Sequence, residues 1–148
     1  MISLTSDALE HDQPIPEKYT GEGKDVSPPL SWSGFPENTR EFALICEDLD
    51  ALQDEPWVHW LVYGIPGARN GMPEATTGGA FGGRNSWGRP GCNGPLSPSG
   101  HGVHHYRFKR YALDRTMGLS LSATKDDLRQ AIEGHILDEG ELVGTYER

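Results

Sequence analysis

The stretch that most constrains the fold is Trp57-Val-His-Trp-Leu-Val-Tyr-Gly-Ile65, which lies between two prolines. Aromatic and β-branched residues dominate it, and these residues favour β-strands. Side chains in a strand alternate between its two faces. Strict alternation gives one face with Trp57, His59, Leu61 and Tyr63 and another with Val58, Trp60 and Val62. Because both faces are mostly apolar, the run predicts a central strand that is covered on both sides.

A histidine on such a strand needs hydrogen-bond partners for its two ring nitrogens. One candidate is the acidic stretch Glu47-Asp-Leu-Asp-Ala51, which follows the apolar run Glu41-Phe-Ala-Leu-Ile-Cys46. A second is a histidine in the later run His104 to Leu113. There His104, Tyr106 and Phe108 alternate with the polar residues His105, Arg107 and Lys109. The polar set predicts a solvated face, so we expect His104 to point inwards, towards His59.

The rest of the chain favours a single domain over residues 1–148 with a mainly β fold. Short strands are expected at Ile2–Leu4 and Glu141–Tyr146, and Pro28 and Pro29 favour an extended segment that brings Leu30 and Trp32 into the core. One late helix is expected, with Thr124 as its N-cap and Gly140 as its end. Its apolar stripe contains Leu128, Ala131, Ile132 and Ile136. Many short strands, one C-terminal helix and a long irregular loop from Gly67 to Pro98 predict an antiparallel Greek-key β-sandwich.

Charge and composition narrow the classes of partner. The net charge of the 148 residues is −9, so we expect no binding to nucleic acid or to anionic membrane surfaces except at a local positive site. No apolar run comes close to the length of about 20 residues that a membrane-spanning helix needs. The start of the chain has no signal-peptide pattern, and the two cysteines fit free thiols, so a cytoplasmic protein is expected. A homodimer and an unidentified protein partner remain open.

Three polar groups are predicted to converge: His59, His104 and one acid, Asp48 or its neighbours Glu47 and Asp50. A carboxylate that holds one imidazole, beside a second histidine, can bind a phosphate or carboxylate anion. The same residue types could bind a metal ion, although no HxH or HExxH spacing supports this. A third interpretation is a structural His–Asp pair, buried for packing. No GxSxG motif or nucleotide-binding motif is present, so we assign no catalytic residue and expect neither a metal nor a cofactor.

Five ordered motifs resemble the phosphatidylethanolamine-binding protein family, in particular its short bacterial and archaeal branch. The motifs are Asp25-Val-Ser-Pro-Pro-Leu-Ser-Trp32, Glu47-Asp-Leu-Asp-Ala51, Trp57-Val-His-Trp60, Gly94-Pro-Leu-Ser-Pro-Ser-Gly100 with His104-His-Tyr106, and the tail from Gly134 to Tyr146. The resemblance runs nearly from end to end. It implies an antiparallel β-sandwich with a small site for phosphate-like anions.

Carried over position by position, the resemblance assigns the ligand-binding residues of that site. Its acid is Asp48 with Asp50 behind it, its histidines are His59 and His104, and Tyr106 follows the family's aromatic residue. Gly94, Pro95 and Pro98 fall on a rim loop, and Trp57 falls on the wall.

The chain departs from the family motifs at several positions. Leu49 and Leu52 replace the two usual prolines of the acidic loop, Ser97 replaces a rim proline, and His105 replaces the usual arginine.

The expected function is a small-anion binding module for a phospholipid headgroup or a phosphorylated ligand. Kinase- or protease-inhibitor-like regulation is a further implication of the resemblance. The rival hypotheses are a hydrolase or metal-dependent enzyme that uses Asp48, His59 and His104, and a protein-interaction module in which the pocket is incidental.

Overall fold

The computed structural model describes residues 2–50, 57–67, 71–72, 85–86, 102–119 and 123–147. In these ranges the chain forms eight β-strands, one α-helix and a short 3-10 helix. The strands are β1 (Ser3–Thr5), β2 (Gln13–Pro14), β3 (Leu30–Ser33), β4 (Glu41–Asp48), β5 (Trp57–Pro66), β6 (Gly71–Met72), β7 (His104–Leu113) and β8 (Ile136–Tyr146). The α-helix α1 spans Lys125–Ile132, and the 3-10 helix spans Glu17–Tyr19.

The strands form two sheets that pack face to face. The larger sheet has the order β2-β8-β7-β4-β5, and the smaller has the order β1-β3-β6. All described pairs are antiparallel except the short pairing of β2 with β8. The predicted mainly β sandwich with one late helix is therefore confirmed.

Apolar side chains fill both faces of the larger sheet. Between the sheets, Leu30 and Trp32 of β3 pack with Phe42, Trp60 and Phe108 of the larger sheet, so the predicted inward delivery of Leu30 and Trp32 is confirmed. The other face of the larger sheet is covered by α1 through Leu128 and Ile132. This two-sided cover explains why β4 and β5 read as nearly continuous apolar runs.

The structure corrects two expectations about β5. Its two faces are covered as predicted, but β5 is the last strand of the described sheet rather than a central one. Strict alternation is also wrong. Trp60 and Val58 pair with adjacent residues of β4, so His59 is an extra residue in a β-bulge. A second irregularity lies near Gly64, which has φ +71°.

The bulges change the phase of the side chains. Trp60 and Val62 face the other sheet, whereas Leu61 and Tyr63 pack in the cluster beneath α1. Trp57 pairs with Asp48, which in turn pairs with Tyr106, and directly opposed residues share a face. Trp57 thus lies on the inner face together with Trp60, contrary to the sequence-based prediction.

The helix is shorter than the sequence predicts. Thr124 is the N-cap as expected, and it forms a capping box with Asp127. The chain leaves the helix before Gly134, which has φ +81°, and Ile136 already begins β8. Gly140 does not end the helix. It lies within β8, where an added Cβ would stand 2.2 Å from the Ile2 carbonyl oxygen.

Two further observations bear on the sequence analysis. Cys46 is a buried free cysteine on β4, while Cys92 lies outside the described residues. In the described ranges, no helix is long and apolar enough to cross a membrane.

Candidate functional site

The centre of the candidate site is a buried pair of one carboxylate and one imidazole. Asp48 is the last residue of β4 and His104 is the first of β7, and these two strands are antiparallel neighbours. The Oδ2 of Asp48 lies 2.6 Å from Nδ1 of His104, and both side chains are at least nine-tenths buried. The alternation of β7 therefore gave the correct direction for His104, and Asp48 is the acid that pairs with it.

Tyr106 contacts both of the predicted histidines. Its ring is stacked on that of His104, with centroids 6.4 Å apart and an interplanar angle of 25°. It meets the ring of His59 edge-on, with centroids 5.1 Å apart. All three side chains are buried. We call Asp48, His59, His104 and Tyr106 the histidine cluster, and its members are all residues that the sequence analysis selected.

The bulge in β5 is the local feature that places His59 in this cluster. The β4 register passes over His59, since Val58 pairs with Glu47 and Trp60 with Cys46. The ring of His59 therefore turns to Tyr106 on the inner face of the sheet. A bulge next to a functional position is a common way to redirect one side chain.

Asp50 lies outside the histidine cluster. Its Oδ2 accepts hydrogen bonds from the backbone N–H of His105 at 2.7 Å and lies 2.7 Å from His105 Nδ1, on the outer side of the sheet. Burial raises the pKa of Asp50, but the hydrogen bonds and the charge interaction with His105 together outweigh burial and hold the pKa below its usual value. The link to the cluster is a backbone one, since the Asp50 N–H donates to Asp48 Oδ1 at 2.9 Å.

Glu47, the third acid that the sequence left open, faces the side of α1. It is buried and forms ion pairs of 2.7 Å with Arg107 and 2.5 Å with Lys125. Burial raises its pKa, but the two cations outweigh that effect and hold the pKa below its usual value. Glu47 therefore joins β4, β7 and the start of α1, and it is not part of the histidine cluster.

Of the four remaining predicted site residues, Trp57 is the one that lies within the described ranges. Trp57 is half-buried on the inner face, in register with Asp48. The predicted rim residues Gly94, Pro95 and Pro98 lie outside the described residues, as do Leu52 and Ser97. Leu49, which replaces a proline of the family motif, is described and exposed.

The structure adds one residue near the site, Ser86, that no sequence motif singled out. Ser86 donates its N–H to the Val58 carbonyl at 2.9 Å, and its Oγ accepts from the Val58 N–H at 2.8 Å. Both polar backbone groups of Val58, the residue before the bulge, are thereby satisfied. No local sequence signal predicts this contact, because the two residues are 28 positions apart.

The metal hypothesis requires Asp48, His59 and His104 to converge on one point. Within the described ranges, no group of three or more His, Cys, Asp or Glu side chains is arranged to hold a metal ion.

Comparison with known proteins gives a consistent result at the levels of family, sequence and fold. The profile described as "Phosphatidylethanolamine-binding protein" matches residues 5–147. A UPF0098 protein of Pyrococcus abyssi is 45% identical over 156 residues, which cover 100% of this chain and 86% of that protein. A UPF0098 protein of Methanothermobacter thermautotrophicus is 40% identical, with 99% of both chains covered.

Two crystal structures have a very similar fold. The phosphatidylethanolamine-binding protein homologue CT736 of Chlamydia trachomatis superimposes with a TM-score of 0.92 at 36% identity, covering 99% of this chain and 97% of its own. Escherichia coli YbcL, described as a member of the mammalian PEBP family, has a TM-score of 0.92 at 28% identity, covering 99% and 98% of the two chains.

Proposed function

Since this chain belongs to the phosphatidylethanolamine-binding protein family, we propose that it binds a small anion at the histidine cluster. The favoured ligand carries a phosphate group, as a phospholipid headgroup or a phosphorylated ligand does, and a carboxylate is the alternative anion. The name of the family and the chemistry of the histidine cluster both support a phosphate group as the ligand.

The observation that carries the proposal is the buried contact of Asp48 with His104. A carboxylate at Nδ1 fixes the orientation of the imidazole and leaves Nε2 as the ring nitrogen that can meet an anion. With Nδ1–H donating to Asp48, Nε2 carries a hydrogen only in the imidazolium, so that form of His104 is the one that donates a hydrogen bond to the anion. Charge-assisted hydrogen bonds of this type are short and strong, particularly where water is excluded.

His59 supplies the second imidazole, which also contacts the Tyr106 ring. Two histidines and one carboxylate give a local charge between −1 and +1, depending on protonation. This local charge can attract one small anion although the chain as a whole carries −9. The proposal therefore predicts selectivity for single small anions over polyanions.

The test is a histidine-resolved NMR titration with inorganic phosphate, phosphoethanolamine and acetate. We expect saturable shifts of the His59 and His104 rings with the two phosphate compounds. Asp48→Asn keeps the shape of the side chain but removes its charge, so it should weaken phosphate binding at least about tenfold, or roughly 1.4 kcal/mol. Asp114→Asn is the matched control, because Asp114 pairs with the partly exposed His135 at 2.9 Å, outside the histidine cluster.

The outcomes separate the rival functions. No shift of either ring with any of the three anions would disprove the proposal and leave a structural pair or a protein-interaction surface. Turnover on a panel of phosphate and carboxylate esters, lost in His59→Ala, would instead favour the hydrolase hypothesis. Binding of acetate as strongly as phosphate would change the ligand class to carboxylates.

A further inference from the structure

We propose that His105 is a positioning residue, whose charge makes the orientation of the Asp48 carboxylate, and hence anion binding, depend on pH. The inference rests on the proposed function for its effect on affinity. It deepens that function by naming a regulatory residue outside the histidine cluster.

Among the described residues, the turn that follows β4 contacts residues 104 and 105 of β7 at several points. Asp48 bonds to His104, and the Leu49 N–H donates to the His105 carbonyl at 2.9 Å. The Asp50 carboxylate contacts both the backbone N–H and the ring Nδ1 of His105. The Asp50 N–H then donates to the second carboxylate oxygen of Asp48. Hydrogen bonds therefore connect the exposed His105 ring to the buried Asp48 through a single residue.

The two His–Asp pairs of this turn differ sharply in their environment. The side chains of Asp48 and His104 are 7% and 3% exposed, whereas those of Asp50 and His105 are 43% and 48% exposed. Water and protons thus reach the outer pair directly. The hydrogen bonds from His105 hold the pKa of Asp50 below its usual value, so this carboxylate stays charged near neutral pH. Histidine is the side chain that changes charge in that range.

Among the described residues, Arg107 is a charged side chain two residues along on the same face of β7 as His105. Arg107 and Lys125 both pair with the buried Glu47, so this group holds two positive charges and one negative charge. Glu147 follows β8 two positions beyond Thr145, the cross-strand partner of His105. Asp50 is the carboxylate in direct contact with the His105 ring, at 2.7 Å, so protonation of His105 is felt most strongly by Asp50.

The consequence is a turn that tightens on acidification. An imidazolium makes a charge-assisted hydrogen bond to Asp50, which is stronger than the bond from a neutral ring. A more firmly held Asp50 fixes its own N–H, and that N–H orients Asp48 towards His104. At higher pH the outer bond weakens and the Asp48 carboxylate gains freedom. Arginine at position 105 would keep the positive charge at every working pH and remove this dependence.

The decisive variant is His105→Arg, with His135→Arg as the matched control. His135 also pairs with an aspartate, Asp114, on the surface, so the control repeats the chemical change away from this turn. The first readout uses no ligand: the chemical shift of the Asp50 amide from about pH 5 to about pH 8. We expect this shift to titrate together with the His105 ring in the wild type and in His135→Arg. It should stay flat in His105→Arg.

The second readout is the affinity for inorganic phosphate over the same pH range. His105→Arg should bind about threefold to fivefold more tightly than the wild type near pH 7.5 and equally near pH 5.5. Asp50→Asn, which removes the charge that His105 senses, should lose the same part of the pH dependence. An Asp50 amide that titrates equally in His105→Arg, or an unchanged affinity profile, would overturn the inference. Absence of ring shifts at His59 and His104 in every variant would instead disprove the proposed function.

Discussion

Replacing Arg110 by leucine should stabilise this protein, because the Arg110 guanidinium is a cation buried in the core between the sheets. It is 0% exposed, and its Cζ lies 3.3 Å from the ring centroid of Trp32 and 5.4 Å from that of Phe42. None of its three nitrogens has a hydrogen-bond partner among the residues that the structure describes. Burial lowers the pKa of the guanidinium to about 9.

The size of the effect follows from two opposing contributions. Each tenfold change in proton affinity corresponds to about 1.4 kcal/mol, so the lowered pKa of Arg110 indicates a cost of about 5 kcal/mol for the charged form. Stacking of a desolvated cation on an aromatic ring stabilises the folded state by about 2 kcal/mol. Leucine buries no polar atom, so Arg110→Leu should raise the free energy of unfolding by about 3 kcal/mol. The melting temperature should rise by roughly 6–12 °C.

The assay is urea unfolding of the wild type, Arg110→Leu and the control Arg115→Leu. Arg115 is exposed, so its replacement removes the same charge without touching the core and should change stability by less than about 0.5 kcal/mol. The slope of free energy against urea should be the same in all three proteins, because the surface exposed on unfolding hardly changes.

The pH dependence of the stability difference between Arg110→Leu and the wild type is an independent check, because its direction follows from the lowered pKa of Arg110. From about pH 9 upwards, the unfolded chain holds a proton that the folded chain has lost, so this group adds stability as the pH rises. Below about pH 9 its full cost is present. The advantage of Arg110→Leu should therefore be constant from about pH 6 to 8 and shrink above about pH 9. A variant less stable than the wild type, or an advantage that does not shrink, would refute the reasoning.

Three further substitutions test other parts of the structure. Lys125→Met should cost about 1–3 kcal/mol at pH 7, because it leaves the buried carboxylate of Glu47 with one cation fewer. The pKa of Glu47 is lowered in the folded protein, so this stability is present above its unfolded pKa and the cost should diminish as the pH falls through the lowered folded pKa. Gly140→Ala should destabilise by about 2–3 kcal/mol, since its Cβ would meet the Ile2 carbonyl. Thr124→Ala should cost about 1 kcal/mol through loss of the N-cap. Urea unfolding measures all three.

Each substitution has a control within the chain. Lys109→Met removes a partly exposed pair with Glu139 and should cost less than about 1 kcal/mol. In Gly144→Ala the close contacts of the added Cβ are with the Ile15 side chain, at 2.5 Å from Cγ1 and 2.9 Å from Cδ1, which can move. This substitution should therefore cost less than Gly140→Ala, whose contact is with backbone. Gln130→Ala on the exposed face of the helix should be within about 0.5 kcal/mol of the wild type. Equal costs within any variant–control pair would contradict the corresponding argument.

Local patterns in the sequence determined much of this protein. Alternating polar and apolar residues fixed the inward direction of His104 and Tyr106, because a strand has only two faces and one of them must be dry. Thr124 marked the start of the helix, because its side chain bonds within the same turn. The two prolines before Leu30 restrict the backbone itself. Such signals act over a few residues, so the sequence is sufficient to read them.

Tertiary structure decided the features that depend on pairing between distant segments. The bulge at His59 arises from the register of β5 against β4, and no pattern within β5 encodes it. The choice of Asp48 over the neighbouring acids depends on which of them stands opposite β7. Gly134, rather than Gly140, ends the helix region because β8 must begin early enough to pair along the whole of β7.

The burial of Arg110 is the clearest feature that could not be predicted from the sequence. Its sequence neighbours Lys109 and Tyr111 give no sign that a guanidinium will lie against the Trp32 ring, which comes from the other sheet. The sequence thus determined the fold class and the inward direction of His104 and Tyr106, since these follow from local alternation and strand patterns. Only the packing of the two sheets decided partners, register and the buried cation, because those depend on contacts between segments far apart in the chain.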